Sequence, residues 1–198
     1  KKNCPYLRKE TGINVARRLS NLQWEYLLNS AISMASEDPK NERILFVIAS
    51  LKSLKLRISE LSERPNWSPI MAHFHRDHEN NWWFWAYGKG SKKRNVSISN
   101  EYVDFLKRYR THRGLIPIPS TDYIKPLIES RVNNRGIGSR QLSHLVEAAL
   151  EVGCNALLTD GFDVEAAELR AATTHWLRHT GASMEVASER ELSHVQAD

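Results

Sequence analysis

The sequence predicts a mainly helical α+β domain that carries one small three-stranded antiparallel sheet. Three observations predict it. Helical periodicity occupies most of the chain on both sides of a single stretch, residues 70–99, where the period shortens to that of extended strands. Residues 44–51 are apolar nearly all round, which a short helix tolerates only at the centre of a core. The chain has 198 residues, 41% of them hydrophobic and 26% charged, enough to bury one sizeable core and typical of an ordinary globular domain.

The elements follow in order. Ser20 and Gln23 form a capping-box pattern, and Trp24, Leu27, Leu28, Ala31 and Ala35 share one helical face until Asp38-Pro39 breaks it. ERILFVIASLKSLKL is the apolar helix, and it delivers Arg57 at its end. ISELSER predicts a short turn with Ile58 and Leu61 on one side, stopped by Pro65. Then come IMAHFH, a polar turn at RDHENN, the aromatic run WWFWAY, GKGSKK and RNVSIS, which read as a three-stranded meander. A helix starts at Ser99-Asn100 and runs to Arg110 with Val103, Leu106 and Tyr109 as its buried stripe. A loop with Pro117, Pro119 and Pro126 is expected to cross the surface. Leu142, Leu145, Val146, Ala149 and Leu150 mark an amphipathic helix with Ser139 as its N-cap. EAAELRAA predicts another helix, HWLRHTGASM the last, and the residues after it are expected to trail.

Composition bounds the function. No stretch is apolar for long enough to cross a bilayer, so no membrane partner is expected. Residues 1–12 carry the positive charge of a signal peptide without the apolar segment that must follow, which argues against export. Cys4 and Cys154 are too few for a disulfide framework and lack zinc-site spacing, so a reducing cytoplasm is the expected compartment. Residues 1–19, basic and without period, read as a linker or arm, and residues 20–198 as the domain. The net charge of +5 suits a polyanionic partner. Its basic residues concentrate in GKGSKKR at 88–94 and KRYRTHR at 107–113.

HWLRHTG is the most informative string. His175 and Arg178 are three apart, so a helix sets them on one face where both address one ligand. The planar fork of arginine suits a phosphate, and a neighbouring histidine moves protons near neutral pH. Alone, such a pair more often caps a helix or makes a surface ion pair. Two metal readings fail. His175 and His179 have i, i+4 spacing but lack the intervening Glu of a zinc protease, and Arg178 would repel a cation. His73, His75 and His78 lie near a hairpin, the first two on one strand face, without the ligand set expected of a zinc site.

HWLRHTG resembles the H-x-L-R-H-T box of the tyrosine recombinases, the phage-integrase family, and LKLRISEL resembles their upstream arginine box. The order and separation also fit, with a β-meander between the boxes and GKGSKKR supplying a lysine in its last turn. NERILF, SERPNW and WWF are similar to XerD-like members. The resemblance spans about residue 20 to the end. It implies a helical catalytic domain with a small antiparallel sheet, acting on double-stranded DNA in the nucleoid as a tetramer. The implied activity is site-specific recombination or integration by transesterification through a 3′-phosphotyrosine, with no cofactor or metal. By motif position, Arg57 and Arg178 would clamp the scissile phosphate, Lys89 would protonate the leaving 5′ oxygen and His175 would assist proton transfer. Lys92, Lys93, Arg94 and His179 would contact DNA.

Each residue has a plainer use. Arg57 could pair with Glu60 or Glu63. Any of Lys89, Lys92 and Lys93 could reach the leaving group, the flanking glycines favouring Lys89. Gly88 and Gly90 could simply serve the turn, where positive φ is cheap. Trp82, Trp83 and Trp85 could stack on bases, but alternating aromatics in a strand more often pack a sheet.

The family also implies a Gly-His element and then a nucleophilic tyrosine downstream of the H-x-x-R box. HVQAD at 194–198 resembles the residues just before that element, and Tyr102, Tyr109 and Tyr123 all precede the box. The chain is therefore expected to stop before the nucleophile, and to bind DNA without cleaving it. Two rival readings are a DNA-binding module with this fold but no chemistry, and a relaxase like the type IB topoisomerases.

Overall fold

A computed structural model of the protein describes residues 17–88 and 92–195, with side chains up to residue 187. Among these residues the helices are α1 (Asn21–Glu37), α2 (Glu42–Ser53), α3 (Ile58–Leu61), α4 (Asn100–His112), α5 (Ser139–Thr159), α6 (Asp163–Arg170) and α7 (Thr174–Val195). The strands β1 (Phe74–Arg76), β2 (Trp82–Tyr87) and β3 (Lys93–Ser97) form one antiparallel sheet in the order β1-β2-β3. This is the mainly helical α+β architecture with a small meander that the periodicity predicts.

Helix α2 is apolar on every face because it has neighbours on every side: α1, α4, α5 and α7 all pack against it. Ile44 to Leu51 are buried without exception. Helix α1 starts at the expected capping box. The Ser20 hydroxyl accepts from the Gln23 amide at 3.1 Å and the Gln23 side chain accepts from the Ser20 amide at 2.9 Å. Trp24, Leu27, Ala31 and Ala35 face the core, and Leu28 is half-buried beside it. Leu19 is also buried, its amide donating to Thr180 Oγ1 at 2.9 Å, so the residue before the cap belongs to the packed domain. Gly153 lets α5 approach α1 closely, since a Cβ there would stand 3.4 Å from Leu27 Cα.

The sheet is joined to the helices through aromatic rings. Phe74 and Phe84 lie opposite each other on β1 and β2 with centroids 4.8 Å apart. Phe74 meets Tyr102 of α4 at 6.2 Å, and Phe46 of α2 stacks on Tyr109 at 4.2 Å. The Tyr102 hydroxyl is satisfied by Ser50 at 2.8 Å, as a fully buried hydroxyl must be.

Three expectations need correction. The loop after α4 does not merely cross the surface: Leu127, Ile128 and Ile137 are core residues. Its backbone is held by hydrogen bonds from Met71 to Lys125 and from Leu127 to Pro69, so a short apolar run after Pro126 bends into the core. Ser139 is not an N-cap. Gly138 takes that position, and the Ser139 hydroxyl bonds Ser62 at 2.8 Å. The residues after Met184 do not trail but continue α7 to Val195, because a run of good helix formers without Gly or Pro follows Gly181.

Candidate active site

The first arginine comes from a turn that α2 forces. The helix ends at Ser53, and Lys55 adopts a left-handed conformation with φ of 50°, an unusual backbone for a residue with a Cβ. Lys55 Nζ pairs with Glu185 of α7. The reversal sets Arg57 as the N-cap of α3, in extended backbone, with a half-exposed side chain. Arg57 is therefore presented by a cap four residues past α2, not by the end of that helix.

One turn later stands Glu60, whose side chain is 1% exposed. Its carboxylate accepts the Arg57 amide at 2.6 Å and lies 3.6 Å from Arg57 Nη1. Arg94 of β3 reaches the same carboxylate with Nη2 at 3.1 Å and Nε at 3.4 Å, and also donates to the Lys55 carbonyl. Arg178 of α7 completes the set, Nη1 standing 3.5 Å from Glu60 Oε2. Three guanidiniums thus surround one buried carboxylate, and the cluster keeps a net positive charge.

Glu60 does not satisfy these arginines fully. Arg178 Nη1 is buried without a hydrogen-bond partner, and each guanidinium offers five donors in a fixed fork. Burial, followed by the neighbouring Arg57 guanidinium, pulls Arg178 below the usual arginine value, with Glu60 opposing and Arg94 adding to the fall. An arginine stays charged under such shifts, so the physical result is an unneutralised, partly desolvated cation with donors to spare. An oxyanion placed against Arg57 and Arg178 would supply the missing acceptors.

Helix α7 holds Arg178 by two devices. Leu177 and Thr180 on either side are buried, and Thr180 Oγ1 donates to Trp176 at 2.7 Å. Gly181 lets the helix press on the end of α2, since a Cβ there would collide with the Lys52 carbonyl oxygen. His175 lies one turn before Arg178 and is exposed, with no side-chain partner among the described residues, and His179 is likewise exposed.

Lys89 lies outside the described residues. Its neighbours show where its hairpin starts: the Gly88 amide donates to the Lys92 carbonyl at 2.9 Å, and a Cβ on Gly88 would stand 3.3 Å from Glu60 Oε1. Gly88 does not have positive φ, so its smallness serves clearance against Glu60. The base of the hairpin therefore abuts the arginine cluster. Of the other basic residues of that segment, Lys92 and Lys93 are exposed, with Lys93 Nζ over the Trp85 ring, while Arg94 turns inward to Glu60. Trp82 is buried in the sheet, Trp83 is half-buried and donates to Asp77, and Trp85 is partly exposed and donates to His75.

No protein-family model matches the chain, and no curated protein sequence does. Solved structures do match. A crystal structure of the XerH site-specific recombinase bound to difH substrate, a pre-cleavage complex, aligns over 96% of this chain and 49% of that one, with 20% identity and a TM-score of 0.62. The post-cleavage complex of XerH with palindromic difH substrate aligns over 96% of this chain and 47% of that one, at the same identity and score. The chain has the tyrosine-recombinase fold. It spans about half the length of the recombinase chains it matches.

Within this fold the two arginine boxes, 121 positions apart from Arg57 to Arg178, meet across Glu60. Sequence reasoning saw Glu60 only as a partner that would make Arg57 ordinary. It missed that one carboxylate organises three arginines. The available signal was a Glu three residues after Arg57, a spacing that returns a side chain to its own N-cap.

Proposed function

We infer that the chain is the DNA-acting catalytic part of a tyrosine recombinase and that Arg57 and Arg178 clamp the scissile phosphate. The observation that carries this reading is the convergence of both guanidiniums on buried Glu60, with a buried donor of Arg178 left unpaired. Attack on a phosphodiester accumulates negative charge on the equatorial oxygens. Donors held in place beforehand stabilise that charge more than they stabilise the ground state. Lys89, on a hairpin whose base abuts the cluster, would protonate the leaving 5′ oxygen. His175, exposed one turn from Arg178, would carry a proton to or from the reacting oxygens. Lys92, Lys93 and His179 are exposed cations or potential cations and suit backbone phosphates.

The attacking tyrosine would come from a segment downstream of the H-x-x-R box, as the family resemblance implies. On this reading the complete protein recombines or integrates double-stranded DNA as a tetramer, without metal or cofactor, on the nucleoid of a cytoplasm. Among the described residues no helix is long and apolar enough to cross a membrane.

The test is a nicked suicide duplex incubated with the protein of the complete reading frame and with the 198-residue chain. A covalent 3′-phosphotyrosyl adduct with the complete protein and none with the shorter chain is expected. An adduct formed by the 198 residues alone would overturn the assignment of the nucleophile. Stable DNA binding without any adduct from the complete protein would favour a non-catalytic binding module, and relaxation of supercoils a topoisomerase-like enzyme.

A further inference from the structure

The basic run at 107–113 is spent largely on partners within the chain. Arg108 grips Glu42 with Nε at 2.9 Å and Nη2 at 2.6 Å. Arg110 is buried and donates to the Ile116 carbonyl at 2.7 Å. Lys107 pairs with Asp104 at 3.0 Å, and Arg113 pairs with Glu129. These contacts fasten α4 and the loop after it, and they leave little of the run for a ligand.

What the pairing leaves is a cleft of about 330 Å³ where the last turn of α4 meets the start of α2 and the loop at 129–134. Four cations line it, Lys40, Arg43, Arg113 and Arg131, against a single carboxylate, Glu129, which Arg113 already holds. Arg131 Nη2 donates to the Lys40 carbonyl at 3.0 Å, which joins the 129–134 loop to the residues before α2. Arg43 is half-buried and has no acidic partner among the described residues. Burial, followed by the nearby Arg131 charge, pulls it below the usual arginine value. A half-buried guanidinium facing another cation is unfavourable until an anion enters between them. The volume lies at the lower end of small-ligand sites, and paired planar forks suit the tetrahedral oxygens of a phosphate.

We propose that this cleft binds a phosphate-ester oxyanion through Arg43 and Arg131, at the end of α2 opposite the Arg57–Arg178 cluster. The two places are distinct. Arg43 lies in the first turn of α2, and from there to Ser53 the helix rises roughly 15 Å at 1.5 Å per residue before the chain turns toward Arg57. The inference goes beyond the recombinase reading and does not depend on it. The phosphate is either a backbone phosphate of a duplex or that of a small phosphorylated molecule, and the two sources give different results below.

Calorimetric titration with inorganic pyrophosphate reads the site, using an Arg57→Gln, Arg178→Gln background so that the first cluster does not contribute. One pyrophosphate per chain is expected, weakened roughly tenfold or more by Arg43→Gln, which removes one charge-assisted contact, and at least as much by Arg131→Glu, which also reverses the charge. Arg131 is exposed, so its variant keeps the test open if Arg43→Gln fails to fold. If the natural phosphate belongs to DNA, both variants also weaken duplex binding and flatten its dependence on salt. If it belongs to a small molecule, duplex affinity is unchanged while pyrophosphate binding is lost. Absence of saturable pyrophosphate binding, or binding that folded forms of both variants retain, overturns the proposal and leaves the cleavage assay unaffected.

Discussion

Glu60 Oε2 and Arg94 Nη2 stand 3.1 Å apart, the shortest of the contacts between that carboxylate and the three guanidiniums around it. Arg94 is a strand residue reaching across to a residue of α3, so the pair ties β3 and α3 together one turn from Arg57. It also sets the electrostatics: Arg94 takes the closest share of the one negative charge, and Arg57 and Arg178 hold Glu60 only at 3.6 and 3.5 Å.

The first prediction concerns this carboxylate. Glu60→Gln keeps the shape and removes the charge, leaving three partly exposed cations to repel one another around a buried amide. The loss is expected to be about 1–3 kcal/mol, because the arginines are partly solvated and the full cost of breaking a buried pair does not apply. Urea denaturation measures it. Salt should reduce the loss by screening the repulsion, whereas a loss indifferent to salt would point to packing alone.

Gly181→Ala tests how α7 is held. A single methyl at this position meets the Lys52 carbonyl, so α7 must move away from the end of α2. Overpacking of this kind costs about 1–3 kcal/mol. Because Arg178 lies one turn earlier on the same helix, the substitution should also slow single-turnover cleavage of a suicide duplex by the complete protein, with duplex Kd little changed. A thermal midpoint equal to that of the unaltered protein would count against the close approach.

His73 gives the protein a pH dependence of known sign. Its ring stacks on Trp67 at 4.9 Å, and Nδ1 accepts the Ile70 amide at 3.2 Å, which requires that nitrogen to be unprotonated. Burial, helped by Lys93, lowers its pKa from 6.5 to about 4. The unfolded chain therefore binds a proton more readily than the folded one between those values. The contribution to stability is present in full above pH 6.5 and is lost as the pH falls toward 4. Urea midpoints at pH 7.5, 5.5 and 4.5 should fall in that order, and His73→Gln should flatten the profile over this window. A variant with an unchanged slope would assign the dependence to other groups.

Much of the fold was legible because the pattern and the burial agree. The all-round apolar run at 44–51 could only be central, and the capping box at Ser20 and Gln23 is a local device that needs no tertiary context. Legibility failed where partners are distant. Leu127 and Ile128 sit among prolines in a segment without period, and their burial depends on pairing with residues near Pro69. Ser139 carries a good capping side chain, but Ser62 competes for it. At the site, motif order found Arg57 and Arg178. The inward turn of Arg94 was hidden, because a basic run in a hairpin reads the same whether its side chains face solvent or a buried Glu60.

The most direct measurement of the central claim is the single-turnover cleavage rate of a suicide duplex by the complete protein with Arg178→Ala, set beside the salt dependence of its DNA binding. If Arg178 stabilises charge at the reacting phosphate, the rate should fall by about 10²–10³. Duplex binding should stay largely intact, since it sums many phosphate contacts. Cleavage at an undiminished rate, or loss of all binding by a variant that remains folded, would contradict the role assigned to this arginine.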